Sequence, residues 1–242
     1  MRKLFINLIL LTLIFPLILQ AEPLSDSDSS SSKSLLPNRT IVGFLDIRTP
    51  GSTTRVDMQK VKKDGYNVMI VAYGEVYDDN IGFYTNSVTS TQTIIDKIRD
   101  AKKAGMKVLL AVGGSPNTFH PGVKQGAPDP KIFGNDLTDA QIKSLANNIV
   151  SFLNKNDIDG ILYCIKKFTS PEFITKLSAD IKKINAKIII AAEPEVNNYK
   201  LVTTGLSNDY DKAIEDGNID YLFIQEYNLT LKHVGRCRDG GE

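Results

Sequence analysis

The chain has 242 residues, 42% of them hydrophobic and 24% charged, with 29 basic against 28 acidic side chains, two Cys and two His. That balance excludes a wholly disordered or fibrous chain, leaves no basic footprint for nucleic acid, and supplies neither a disulfide framework nor a zinc-ligand set, so no metal or cofactor is expected. The length falls just under the roughly 250 residues of an eight-unit β/α barrel.

Taken in chain order, Arg2 and Lys3 precede an apolar run, Leu4 to Leu19, interrupted by Asn7 and Pro16, with the small Ala21 just beyond. This reads as a secretory signal peptide over residues 1–21, placing the mature protein outside the cell or in the cell envelope, with no membrane attachment after cleavage. The run is short for a span of ~20 residues, and Pro16 would break it. Residues 22–37 contain SDSDSSSSKS. Ser and Asp at this density bury too little apolar surface to offset chain entropy, so the segment reads as a flexible linker. Asn38-Arg-Thr40 and Asn228-Leu-Thr230 match the N-glycosylation pattern, which matters only in a eukaryotic host.

From residue 38 to 242 short apolar runs alternate with amphipathic stretches. The runs Ile41–Ile47, Tyr66–Tyr73, Lys107–Val112, Gly160–Ile165, Lys187–Ala192 and Tyr221–Tyr227 are rich in Val, Ile, Leu or Tyr, as strands buried on both faces require. Between them the spacing predicts helices. One covers Thr93–Ala104 and is closed by Gly105. Another opens at Thr138, with Gln141 completing a capping box, and carries Ile142, Leu145, Ala146, Ile149, Phe152 and Leu153 on one face. A third begins at Ser170 with Pro171 in its first turn. The order is β-α repeated, hence α/β with a parallel sheet. Periodicity alone leaves a doubly wound sheet and a β/α barrel both open, although no G-x-G-x-x-G follows the first run to support a dinucleotide fold.

Four segments together carry a resemblance. Lys107-Val-Leu-Leu-Ala-Val-Gly-Gly114 is similar to a strand ending Ser-x-Gly-Gly, with Ala111 in the Ser position. Asp157-Ile-Asp-Gly-Ile-Leu-Tyr-Cys-Ile-Lys166 is similar to the signature D-G-x-D-x-D-x-E. Glu193-Pro-Glu195 resembles an Ala-Pro-Glu turn, and Asp220-Tyr-Leu-Phe-Ile-Gln-Glu-Tyr-Asn228 a strand whose Gln and Tyr reach a sugar-binding cleft. In this order, over residues 40 to 228, they resemble glycoside hydrolase family 18, the chitinase family. The resemblance implies a (β/α)8 TIM-type barrel, of which about six units are present here, and a partner such as chitin or another N-acetylglucosamine-containing glycan.

The catalytic motif departs from the family. Asp159 and Gly160 match; the three following acids are replaced by Leu162, Cys164 and Lys166. Strand alternation puts these three on one face, which the resemblance points into the barrel. In this family the substrate's own 2-acetamido oxygen attacks the anomeric carbon, while the enzyme supplies a general acid and an inner Asp that orients the acetamido group. General acid help is worth ~10²–10⁴-fold. An ammonium with a reference pKa near 10.4 donates poorly, and at ~4 Å from an oxocarbenium ion it is repulsive by about 4 kcal/mol at an effective dielectric of ~20. No catalytic residue is therefore assigned, and the chain is expected to be an inactive relative.

Tyr73, Phe119, Glu195, Gln225 and Tyr227 are the candidate ligand-binding residues. Glu195 is also placed to pair with Lys166, whereas alternation turns Glu226 to the opposite face. Cys164 fits a small buried hydrophobe, and His120 is expected as an exposed loop residue at the cleft end. The chain has no Trp, and family clefts usually carry Trp beneath the sugar. After Asn228 only 14 residues remain, so the last two β/α units are missing. A truncated gene remnant, completion by another copy through the exposed sheet edges, and a stable shortened barrel are the competing explanations. A non-sugar scaffold and a glycosidase with a rebuilt active site are the functional alternatives.

Overall fold

The computed structural model describes residues 34–49, 51–85, 89–114, 118–165, 168–194, 196–197, 200–201 and 210–224. The expected signal peptide over residues 1–21, most of the Ser/Asp-rich segment, and Lys166, Glu195, Gln225, Glu226 and Tyr227 lie outside them.

The chain runs β1 (Val42–Asp46), α1 (Ser52–Arg55), α2 (Met58–Lys63), β2 (Val68–Asp78), β3 (Asn80–Phe83), α3 (Thr91–Lys103), β4 (Lys107–Val112), β5 (Phe119–Pro121), α4 (Asp139–Lys155), β6 (Gly160–Tyr163), α5 (Pro171–Ile184), β7 (Ile189–Ala192), β8 (Val196–Asn197), β9 (Lys200–Leu201), α6 (Asp211–Glu215) and β10 (Tyr221–Leu222). The main sheet follows the order β1-β2-β4-β6-β7-β10, every pair parallel. Spatial order equals chain order. A doubly wound sheet reverses direction at a switch point; this one does not, so the alternative left open by periodicity is resolved toward an incomplete (β/α)8 barrel.

Alternation sorts the side chains into two layers. Val71, Leu110, Ile161, Tyr163 and Ile190 pack outward against Ile98, Leu145, Ile149, Phe173 and Leu177 of the helices. Val68, Ile70, Leu109, Ala111, Leu162, Cys164, Ile189 and Ala191 form the inner layer. The helices begin where their caps dictate. Thr138 and Gln141 close the capping box of α4, Ser170 accepts from Phe173 N ahead of Pro171, and Ser90 accepts from Thr93 N, starting α3 two residues earlier than predicted.

The strand starts share a device. A polar residue preceding one strand accepts an N–H at or next to the start of the neighbouring strand. Asn67 Oδ1 takes Ile41 N at 2.9 Å, Asp159 Oδ2 takes Val108 N at 2.9 Å, and Asp220 Oδ2 takes Ile190 N at 2.7 Å. Each Asp also meets lysine: Asp159 pairs with Lys102 (2.6 Å) and Lys107 (2.9 Å), and Asp220 with Lys182 (2.6 Å). These bonds fix register, because a one-residue slip would exchange the inner and outer layers.

Three sequence expectations are corrected. Leu36 is 4% exposed, belongs to the inner cluster, and its N–H donates to Tyr221 Oη at 2.9 Å; the packed fold thus begins at Leu35 rather than residue 38. The second strand continues past Tyr73 to Asp78. Its upper half pairs antiparallel with β3 and parallel with β5, neither of which was predicted. The run from Tyr221 forms a strand only over Tyr221–Leu222 among the described residues. The strand order ends at β1 and β10, where Phe44 is 51% and Ile224 56% exposed.

Candidate functional site

In a parallel barrel the strands deliver side chains to a common rim at their C-terminal ends. Asp46 ends β1. Its carboxylate accepts from Arg48 N and Nε, both at 2.9 Å, and from Nη2 at 2.8 Å. These bonds to Arg48 hold the Asp46 carboxyl below its usual range, against the opposing effect of burial. The Arg48 guanidinium stands 5.1 Å from the centre of the Tyr73 ring, within reach of a cation–π contact.

Tyr73 reaches the inner layer because β2 is irregular. Its register against β4 shifts between Ala72 and Gly74. Val68 and Ile70 face inward before the shift, and Tyr73 packs against the same cluster after it. The ring occupies the space where a Cβ on Gly114 would stand. The Gly113-Gly114 pair read from sequence therefore has a steric cause, since any side chain at 114 would collide with Tyr73. Burial is the main influence raising the Tyr73 phenol, followed by Cys164 and Glu193.

Leu162 and Cys164 are fully buried and share the inner face: alternation gave the shared face and the family resemblance its direction. The Cys164 thiol donates to Glu193 Oε2 at 2.5 Å. Glu193 directly follows β7, is 6% exposed, and its N–H donates to Tyr163 O at 2.9 Å. The sequence reading selected Glu195, outside the described residues. The carboxylate touching the motif strand is Glu193, whose position follows from the register Tyr163↔Ala192. Asp159 belongs to the opposite, strand-start end. Burial pushes its carboxyl up, but Lys102, the Val108 N–H and Lys107 outweigh it, leaving the group below its usual range.

Tyr210 was not found from sequence. It is fully buried; its hydroxyl accepts from Ile165 N at 3.0 Å and donates to Tyr163 O at 3.1 Å. Burial raises its pKa well above the ordinary value. It bridges the backbone on both sides of Cys164 and so positions that side chain.

Two candidates move. Phe119 is 1% exposed in the outer layer, with Tyr163 and Phe173 ring centres each 6.2 Å away. It offers no face for a sugar, because β5 pairs with β2 in phase with the outward Val76. His120 is 7% exposed rather than a loop residue in solvent. Its Nδ1 lies 2.8 Å from Asp129 Oδ1, and its ring stacks on Tyr77 at 4.6 Å. Among the described residues, no group of three His, Cys, Asp or Glu is arranged to hold a metal ion.

Residues 40–234 match the model of the glycosyl hydrolases family 18. No curated protein sequence matches the chain. Solved structures are similar in fold. The C-terminal domain of ChiA from Legionella pneumophila matches with a TM-score of 0.58 at 19% identity, covering 79% of this chain and 58% of that one. A family GH18 chitinase from Chromobacterium violaceum matches at 0.56 and 19%, covering 80% and 51%. A fungal endo-β-N-acetylglucosaminidase of the same family matches at 0.57 and 14%, covering 78% and 67%. The chain thus spans little more than half the length of the two bacterial structures.

Proposed function

Because the chain belongs to glycosyl hydrolases family 18, we propose that it is a secreted, non-hydrolysing member that binds N-acetylglucosamine-containing glycans at the strand C-terminal rim. The observation carrying this reading is the filling of two inward motif positions by buried Leu162 and Cys164. Neither side chain can polarise an acetamido group or accept its proton, and the sequence puts Lys166 where the family has its acid. A charged lysine is a poor proton donor to the leaving oxygen, with a reference pKa near 10.4, and it repels a developing cation.

A rebuilt active site would need a carboxyl group free to meet a glycosidic oxygen. At the C-terminal end of the motif strand the described carboxylate in contact is Glu193, but it is buried and takes a hydrogen bond from Cys164. That engagement favours a packed interior over an acid poised for transfer. Binding remains supported by the half-buried Tyr73, by Arg48 above it, and by the family's association with chitin.

Calorimetric titration with N-acetylglucosamine oligomers tests binding; saturable heat is expected, and its absence would leave the scaffold alternative standing. The same preparation should release no shorter oligomers, and Lys166→Glu alone should not create that activity. Secretion is tested by the N-terminal sequence of protein recovered from culture medium, which should begin after Ala21.

A further inference from the structure

The upper half of β2 rises beyond the barrel and carries a feature the family motif does not involve. Val76 and its partner Ile81 face the outer core, and Gly74 lies against Leu110. Tyr73, Glu75 and Tyr77 therefore share the other face, which continues the inner layer. Each of the three is half-buried. Tyr77 is held by its stack on His120, and Tyr84 stands beside Tyr73 through its N–H bond to Tyr73 O at 2.8 Å. Glu75 pairs across the ladder with Gly82, where a side chain would meet nothing within 4 Å. Among the described residues nothing fills the centre of this wall, which has an aromatic residue on either side of a carboxylate.

Glu75 has no hydrogen-bond or ion-pair partner among the described residues. Burial raises its pKa, opposed only by His120. A half-buried carboxylate with no hydrogen-bond or ion-pair partner among the described residues has lost water, and His120 offsets that only in part. Arg48 is not its partner, since that guanidinium is matched by Asp46. The complement of such a wall is a flat ring bearing a cation: stacking and cation–π contact from the tyrosines, and a charge-assisted hydrogen bond from Glu75.

We propose that Tyr73, Glu75 and Tyr77 form a subsite for an amino sugar carrying a free ammonium group, so that the chain prefers glucosamine-containing, de-acetylated stretches of glycan over fully acetylated ones. This rests on the glycan-binding reading above and names its ligand class. Calorimetric titration of residues 22–242 with a glucosamine tetramer and an N-acetylglucosamine tetramer, at a pH where the amine is protonated, provides the test. The glucosamine tetramer should bind more tightly, and Glu75→Gln should weaken it by about tenfold while leaving the acetylated tetramer unchanged. Gly82→Leu, which fills the open centre, should weaken both and serves as a second variant should Glu75→Gln melt early. Equal or tighter binding of the acetylated tetramer, or an unchanged preference in folded Glu75→Gln, would overturn the subsite while leaving glycan binding intact. If neither tetramer binds, both readings fail.

Discussion

The two ends of the strands have been treated differently. At the strand starts, carboxylates hold register: Asp159 and Asp220 each accept an N–H of the neighbouring strand and pair with a lysine of the helix that leads into that neighbour, Lys102 of α3 and Lys182 of α5. At the strand ends, the motif positions on the same β6 segment carry Leu162 and Cys164. The motif's first Asp and its later acids do separate physical jobs. Asp159 ties the start of β4 to the strand beside it through the Val108 N–H and the Lys102 and Lys107 ammonium groups. The later positions here hold apolar volume, which avoids the cost of burying an unpaired charge.

The sharpest way to break this contrast is at the floor. Asp159→Ala leaves the Lys102 ammonium and the Val108 N–H without their acceptor and should cost about 3 kcal/mol, read as an earlier cooperative melt. The pH dependence has a definite sign. The folded-state pKa of Asp159 is depressed, so its contribution is present above the unfolded value of about 4 and is lost as pH falls through the folded value. Asp159→Asn should flatten the acid limb of a stability–pH curve, and an unchanged limb would refute that role. At the rim, Gly114→Ala should cost roughly 1–3 kcal/mol, because the new methyl group collides with the Tyr73 ring; near-ultraviolet circular dichroism should report the displaced tyrosine. Tyr210→Phe removes a hydroxyl joining Ile165 N to Tyr163 O and should cost about 1–2 kcal/mol in denaturant titration. Asp220→Asn keeps an acceptor for Ile190 N while losing the Lys182 charge pair, and should be the mildest at about 1 kcal/mol.

The β-α alternation, the caps at Thr138 and Ser170, and the shared face of Leu162 and Cys164 were all legible in the sequence, because each depends on local spacing; that this face turns inward came from the family resemblance. The strand order was not, since periodicity does not say which neighbour a strand chooses. The extension of β2 was hidden by its own irregularity: the shift between Ala72 and Gly74 reverses the phase of alternation, so Glu75 and Tyr77 no longer fit the pattern begun at Val68. His120 and Phe119 were misplaced for a related reason. Their burial depends on β5 pairing with that extension, a contact between segments some forty residues apart. Glu193 was passed over for Glu195 because only the register of β7 against β6 decides which of the two meets Cys164.

The proposed loss of hydrolysis follows from one contrast: carboxylates hold register at the floor, while the described motif positions at the rim are Leu162 and Cys164. The measurement that tests it most directly is mass spectrometry of N-acetylglucosamine oligomers after prolonged incubation with purified wild-type protein, with Glu193→Gln prepared identically. Intact oligomers in both samples are the predicted result. Shorter oligomers produced by the wild type and absent with Glu193→Gln would show that the rim still holds a working acid, and would contradict the account.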